Sequence, residues 1–139
     1  AIKKENCGEA FREDMFLLLD NASSCPGQLK SLLKNKIGRA IEFATIVAEN
    51  PDRESECRRA ASGLYNAKTA TLLASEGAKI GAKGGDARRL ILSRLVVDTR
   101  LTSRDPLAVD DTSFQTEASK LLIDEAPVSL DRALEVISL

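Results

Sequence analysis

Gly63-Leu64-Tyr65-Asn66-Ala67-Lys68-Thr69-Ala70-Thr71-Leu72-Leu73-Ala74-Ser75-Glu76-Gly77-Ala78 places small side chains at Gly63, Ala67, Ala70, Ala74 and Ala78, steps of three and four residues. On an α-helix such positions share one face. The stretch therefore reads as a helix with a groove of small side chains, flanked by Leu64, Leu72 and Leu73. A groove of that kind lets a second helix approach closely, which makes the segment from about Pro51 to Ala78 the central helix of a bundle. The same groove could instead take a partner helix or a cofactor. Tyr65, near the stripe, reads as a core residue with a solvent-reaching hydroxyl. Cys57, ahead of Ala60 and Ala61, reads as a small core residue.

Helical periodicity continues on both sides. About Lys3 to Asp20 sets Cys7, Phe11, Met15, Leu18 and Leu19 on one side. About Pro26 to Glu49 carries Leu29, Leu33, Ile37, Ile41 and Val47 on a stripe that Phe43 and Ile46 broaden. Gly38 inside this helix costs about 1 kcal/mol relative to alanine and predicts close approach of a neighbouring helix. The turn cluster Asn21 to Gly27 separates these two helices, and Asn50-Pro51-Asp52 ends the second, with Asn50 as the expected cap of the third. Ala87 to Leu101 is apolar over most of its circumference, with Arg88, Arg89, Arg94, Asp98 and Arg100 marking the wet side. A loop runs from Thr102 to Asp111. Thr112 with Gln115 then fits a capping box for a short helix through Leu122, and Ser129 starts the last helix. No alternating stretch is long enough for a strand. The expected fold is all-α, an antiparallel bundle of five to six helices in one domain. Residues 1–104 form the bundle, and residues 105–139 an acidic helical segment packed on it or extending from it.

Between the third and fourth helices lies Glu76-Gly77-Ala78-Lys79-Ile80-Gly81-Ala82-Lys83-Gly84-Gly85-Asp86. It does not match a phosphate loop: position 82 is alanine, no hydroxyl residue follows Lys79 or Lys83, and a helix rather than a strand precedes it. The dinucleotide fingerprint is missing on the same ground. Its ordinary reading is a helix C-terminus, a flexible turn, and Asp86 capping the next helix. The other reading is loose anion contact by Lys79, Lys83, Arg88 and Arg89 at a helix start.

The chain has 139 residues and a net charge of −1, unevenly spread. Residues 1–104 carry 18 basic and 13 acidic side chains, and residues 105–139 carry 2 and 8. An acidic tail behind a basic body either docks back on it, meets a partner's basic surface, or keeps a helical tail soluble. Nucleic acid is not an expected partner, because strong basic excess and aromatic platforms are both missing. The longest apolar run, Met15 to Leu19, is far short of the roughly twenty residues of a membrane span. Cys7, Cys25 and Cys57 are odd in number and widely spaced, which points to an intracellular, reducing compartment. A chain opening on Ala1 is expected to be a piece of a longer one.

With 0 histidines, a Ser-His-Asp triad and any zinc site with an imidazole ligand are excluded within the chain. The adjacent acids Asp110 and Asp111 point different ways on a helix, and Ser62 lacks the glycines of a nucleophile elbow. No catalytic, cofactor-binding or metal-ligating residue is assigned.

Two stretches together, Cys57-Arg58-Arg59-Ala60-Ala61 through Leu72-Leu73-Ala74-Ser75-Glu76-Gly77-Ala78, and Gly85-Asp86-Ala87-Arg88-Arg89 through Leu101, resemble the C-terminal helical region of acyl-CoA dehydrogenase-like flavoproteins, over residues 26–107. The resemblance implies a helical domain of an oxidoreductase that gives packing and oligomer contacts rather than the chemistry itself. FAD and acyl-CoA would then belong to the parent chain, and no site residue is carried over. The alternative is a stand-alone helical interaction module that binds a partner helix in the Gly63–Ala78 groove. In either case the expected partner is protein: the parent chain, another copy or a partner helix.

Overall fold

The computed structural model describes residues 2–124 and 126–139, with side chains from residue 7 onward. Among them are six α-helices and no strand: α1 (Ile2–Asp20), α2 (Gly27–Glu49), α3 (Cys57–Ala82), α4 (Arg88–Arg100), α5 (Ser113–Ile123) and α6 (Leu130–Ile137). A 3-10 turn over Pro51–Glu56 links α2 to α3.

The 26-residue α3 is about 39 Å long and forms the axis. It packs most extensively on α4, then on α2, and also touches α1 and α6. Ala67, Ala70, Ala74 and Ala78 are buried there among Leu19, Leu33, Ile37, Leu90 and Ile91 in one core. Phe114, Ala118, Val128, Ala133 and Val136 belong to the same core, so the segment after residue 104 closes the bundle rather than hanging from it.

Buried hydroxyls on these small-residue faces find carbonyl partners, as burial requires. Ser93 in α4 donates to the Ala70 carbonyl at 2.7 Å, tying α4 to α3. Ser75 in α3 reaches the Leu18 carbonyl of α1 at 3.4 Å, and Thr71 bonds back to Ala67 at 2.8 Å.

Several local expectations are corrected. Gly38 has no neighbouring helix against it; a Cβ there would meet nothing within 4 Å. Asn50 does not cap the following helix: its Nδ2 donates back to the Ile46 carbonyl at 2.6 Å, closing the end of α2. Thr112 makes no capping bond, and Asp111 Oδ1 instead accepts from the N–H and hydroxyl of Ser113 at 2.9 and 2.6 Å. Cys57 is exposed and Tyr65 is 70% exposed, because the first turns of α3 have no helix packed over that side. Arg94 does not lie on the wet side. Its guanidinium lies 3.9 Å from the centre of the Phe114 ring, under the returning C-terminal segment.

Candidate functional site

The α3–α4 junction is closed by glycines and by close backbone contacts. Gly84 takes φ +84°, a left-handed conformation that favours glycine. Gly84 N–H donates to Gly81 and Gly85 N–H to Ile80, at 3.0 and 2.9 Å, closing α3 as a Schellman turn. A Cβ on Gly77 would stand 2.6 Å from the Leu90 backbone nitrogen, and one on Gly81 would stand 2.9 Å from the Ala87 Cβ. Both glycines continue the three-and-four spacing of the alanine stripe. That spacing is the available signal; the sequence reading puts Gly77 inside the helix ending at Ala78 and Gly81 beyond it, whereas both lie in α3.

Asp86 joins this junction to the irregular segment ahead of α6. Its Oδ1 accepts from Arg88 N–H at 3.1 Å and from Val128 N–H at 3.0 Å, while Ala87 N–H donates to the Val128 carbonyl at 2.7 Å. Arg88 Nη2 adds bonds to the carbonyls of Asp124 and Ala126, at 3.1 and 3.0 Å. Burial alone would push the Asp86 carboxyl up, but the N–H groups of Val128 and Arg88 and the charges of Arg88 and Arg89 outweigh it, holding it below the ordinary 3.8. Its contribution to stability is therefore whole above pH 3.8 and is lost as the pH falls through the lowered value. Asp86→Ala orphans the N–H of buried Val128, and a loss of about 2 kcal/mol is expected in urea unfolding at pH 7. Asp86→Asn keeps an acceptor and should lose less, and its deficit against the wild type should shrink toward pH 3. A deficit that grows on acidification would contradict this sign.

The four cations read as an anion contact do separate things. Arg88 Nε stands 3.0 Å from Asp86 Oδ2, although its N–H is not aimed at that oxygen, and Arg89 stands 3.6 Å from Glu76. Lys79 and Lys83 are exposed and line a different cleft of about 250 Å³ with Asn21, Ser23 and Ser24. The start of α4 already holds a carboxylate, Asp86, where a phosphate would otherwise sit.

The small-residue stripe is filled from within. Ala67, Ala70, Ala74 and Ala78 are buried by the chain's own helices, and Gly63 is half-buried with its Cβ position 4.0 Å from Ala40. The open concavity lies elsewhere, along α1 and α2. An apolar slot of about 440 Å³ is lined by Cys7, Gly8, Phe11, Ile41, Ala44, Thr45, Ala48 and Leu64. It shares Gly8, Ile41 and Thr45 with a wider polar cleft of about 750 Å³. The cleft adds Arg12, Lys34 and Arg39 against Glu9 and Glu42. Gly38, free of any helix contact, leaves the floor of this cleft open. Lys34 is bound to Asp20 at 2.8 Å, whereas Arg12 reaches Glu9 only at 3.9 Å and its Nε has no hydrogen-bond partner.

Among the described residues no group of three Cys, Asp or Glu side chains stands where it could hold a metal ion, and no helix is long and apolar enough to cross a membrane. The Cys25 thiol is buried, and that burial pushes it up to about 11, against a smaller lowering by Lys30, so it is no ready thiolate. Comparisons with protein-family models, with curated proteins and with solved structures found no match to this chain.

Proposed function

We propose that the chain is a helical packing domain, giving oligomer or interdomain contacts rather than carrying chemistry of its own. The observation that carries this reading is the apolar slot between α1, α2 and α3, where Ile41, Ala44, Ala48 and Leu64 leave a concave surface that suits aliphatic side chains of another polypeptide. In the version implied by the resemblance, that surface belongs to the C-terminal helical region of an acyl-CoA dehydrogenase-like oxidoreductase whose other domains hold FAD. The partner-helix reading of the Gly63–Ala78 groove is less well supported, because four of its five residues are already covered.

Ala44→Glu and Ala48→Glu each put a charge into the slot from a position that is half-buried or exposed. In the complete polypeptide both are expected to lower the oligomeric mass by light scattering, or the melting temperature, with helical circular dichroism kept. Wild-type mass and melting in both variants would overturn the reading. A complete polypeptide without visible flavin absorbance removes the oxidoreductase version alone.

A further inference from the structure

The bundle holds its C-terminal segment by the segment's main chain. Among the described residues, every hydrogen bond between residues 1–104 and residues 113–139 ends on a backbone atom of the latter. Arg88 Nη2 donates to the carbonyls of Asp124 and Ala126, and Arg94 donates to the backbone oxygens of Ile137 and Leu139. Asp86 Oδ1 accepts from Val128 N–H, and Ala87 N–H donates to the Val128 carbonyl. No ion pair among the described residues crosses between the two parts, and Glu117 and Glu135 pair with Lys120 and Arg132 inside the segment. The segment's buried side chains are apolar: Phe114, Ala118, Val128, Ala133 and Val136. Its backbone is extended at Asp124 and at Ser129, with ψ of 136° and 156°, before α6 begins. Main-chain hydrogen bonds combined with seated apolar side chains are the means by which proteins hold separate peptides.

The connection to this segment takes no part in the grip. Residues 102–112 are exposed throughout, Leu107 and Val109 almost completely, so their path can change without any buried side chain leaving the core. The hydrogen bonds within this connection stay local, as between Thr102 Oγ1 and the Val97 carbonyl or within the turn at Asp105. A stretch of that length extends to roughly 36 Å, enough to reach a neighbouring molecule. We infer that the α3–α4 face bearing Asp86, Arg88 and Arg94 is a receiving site that residues 113–139 of a second copy fill in exchange for the chain's own. The exchanged pair remakes every bond named above and requires no new one. It gives up the tether, whose effective concentration is on the order of mM for a flexible linker. Exchange is therefore rare in dilute solution and competes with the closed chain near that concentration. It is also slow, because the segment must first open. The site lies on a different face from the α1–α2–α3 slot and does not depend on the packing role proposed there.

Two variant chains test this. Asp86→Ala with Arg94→Ala spoils the receiving site and keeps the segment; Ala133→Asp with Val136→Asp spoils the segment and keeps the site. Each alone should sediment as a monomer. Mixed in equal amounts they should form a one-to-one complex, bound about tenfold or more tightly than either binds itself, because the intact site of one takes the intact segment of the other. A mixture of folded variants that stays monomeric overturns the inference. If either variant fails to fold, the wild-type chain decides. Held at about 1 mM, warmed to the foot of its melting transition and cooled, it should yield a dimer that survives dilution for minutes or longer and returns to monomer on rewarming when dilute. Ala48→Glu should leave that dimer fraction unchanged. Absence of the dimer, or its loss in Ala48→Glu, overturns exchange, and the latter result assigns the association to the α1–α2–α3 slot instead.

Discussion

Gly77→Ala is expected to destabilise the domain by about 3 kcal/mol, or roughly 10 °C in melting temperature for a chain of this size. The added methyl would stand 2.6 Å from the Leu90 backbone nitrogen and 3.0 Å from the Arg89 Cβ. Neither is the loose end of a side chain, so relief requires α3 and α4 to move apart. Ala74 and Ala78 on α3, and Leu90 and Ile91 on α4, are buried in the same core and lose contacts when that happens. Against this stands the better helix propensity of alanine, worth about 1 kcal/mol. The steric effect wins at Gly77, whereas at Gly38 there is nothing within 4 Å and propensity is all that changes. Gly38→Ala should therefore stabilise by about 0.5–1 kcal/mol. Thermal unfolding of the two variants beside the wild type gives opposite signs, and a stabilised Gly77→Ala would show that the α3–α4 approach is not as close as described.

The second large effect is expected at Arg94. Its Nη1 donates to the Ile137 carbonyl at 2.6 Å and its Nη2 to the Leu139 backbone oxygen at 3.0 Å, holding the end of α6. The guanidinium also covers the Phe114 ring at 3.9 Å and stands 3.5 Å from Asp98, with both charged side chains about one-fifth exposed. Hydrogen bonds from a charged donor contribute about 1.5–3 kcal/mol each, and a partly desolvated cation over a ring about 1–2. These overlap, and Arg94→Ala is expected to cost about 3 kcal/mol in all. The loss should be local. Amide hydrogen exchange should accelerate in α5 and α6 well beyond the acceleration in α2 and α3. Arg94→Lys should rescue little, since one ammonium lacks the planar fork that serves two carbonyls while lying on the ring. Uniform acceleration across all the helices would mean that the C-terminal segment does not open separately.

These two sites show where reading the chain worked and where it stopped. Ala67, Ala70, Ala74 and Ala78 were legible as an interior face because burial follows helical periodicity, a property of one helix considered alone. Which glycine on such a face meets a neighbour depends on the rotation and crossing of two helices. Gly38 and Gly77 look alike in sequence, and only one of them is a contact. The wet side assigned to α4 failed at Arg94 for a related reason: the side chain is polar, but the ring and carbonyls that accept it arrive from residues 114, 137 and 139. Cys57 and Tyr65 err the other way. Their apolar neighbours suggested a core that no helix comes to close.

From the amino-acid order alone came the all-helical class, the approximate helix boundaries, the small-residue axis and the exclusion of histidine-based chemistry. These rest on local geometry and composition, which each segment carries with it. Only the folded arrangement decided that the stripe is filled by α4, α2 and α1, that Asp86 and Arg94 fasten the returning C-terminal segment, and that the open concavity lies along α1 and α2. Those features depend on contacts between residues up to 57 positions apart, which no periodicity within one helix encodes.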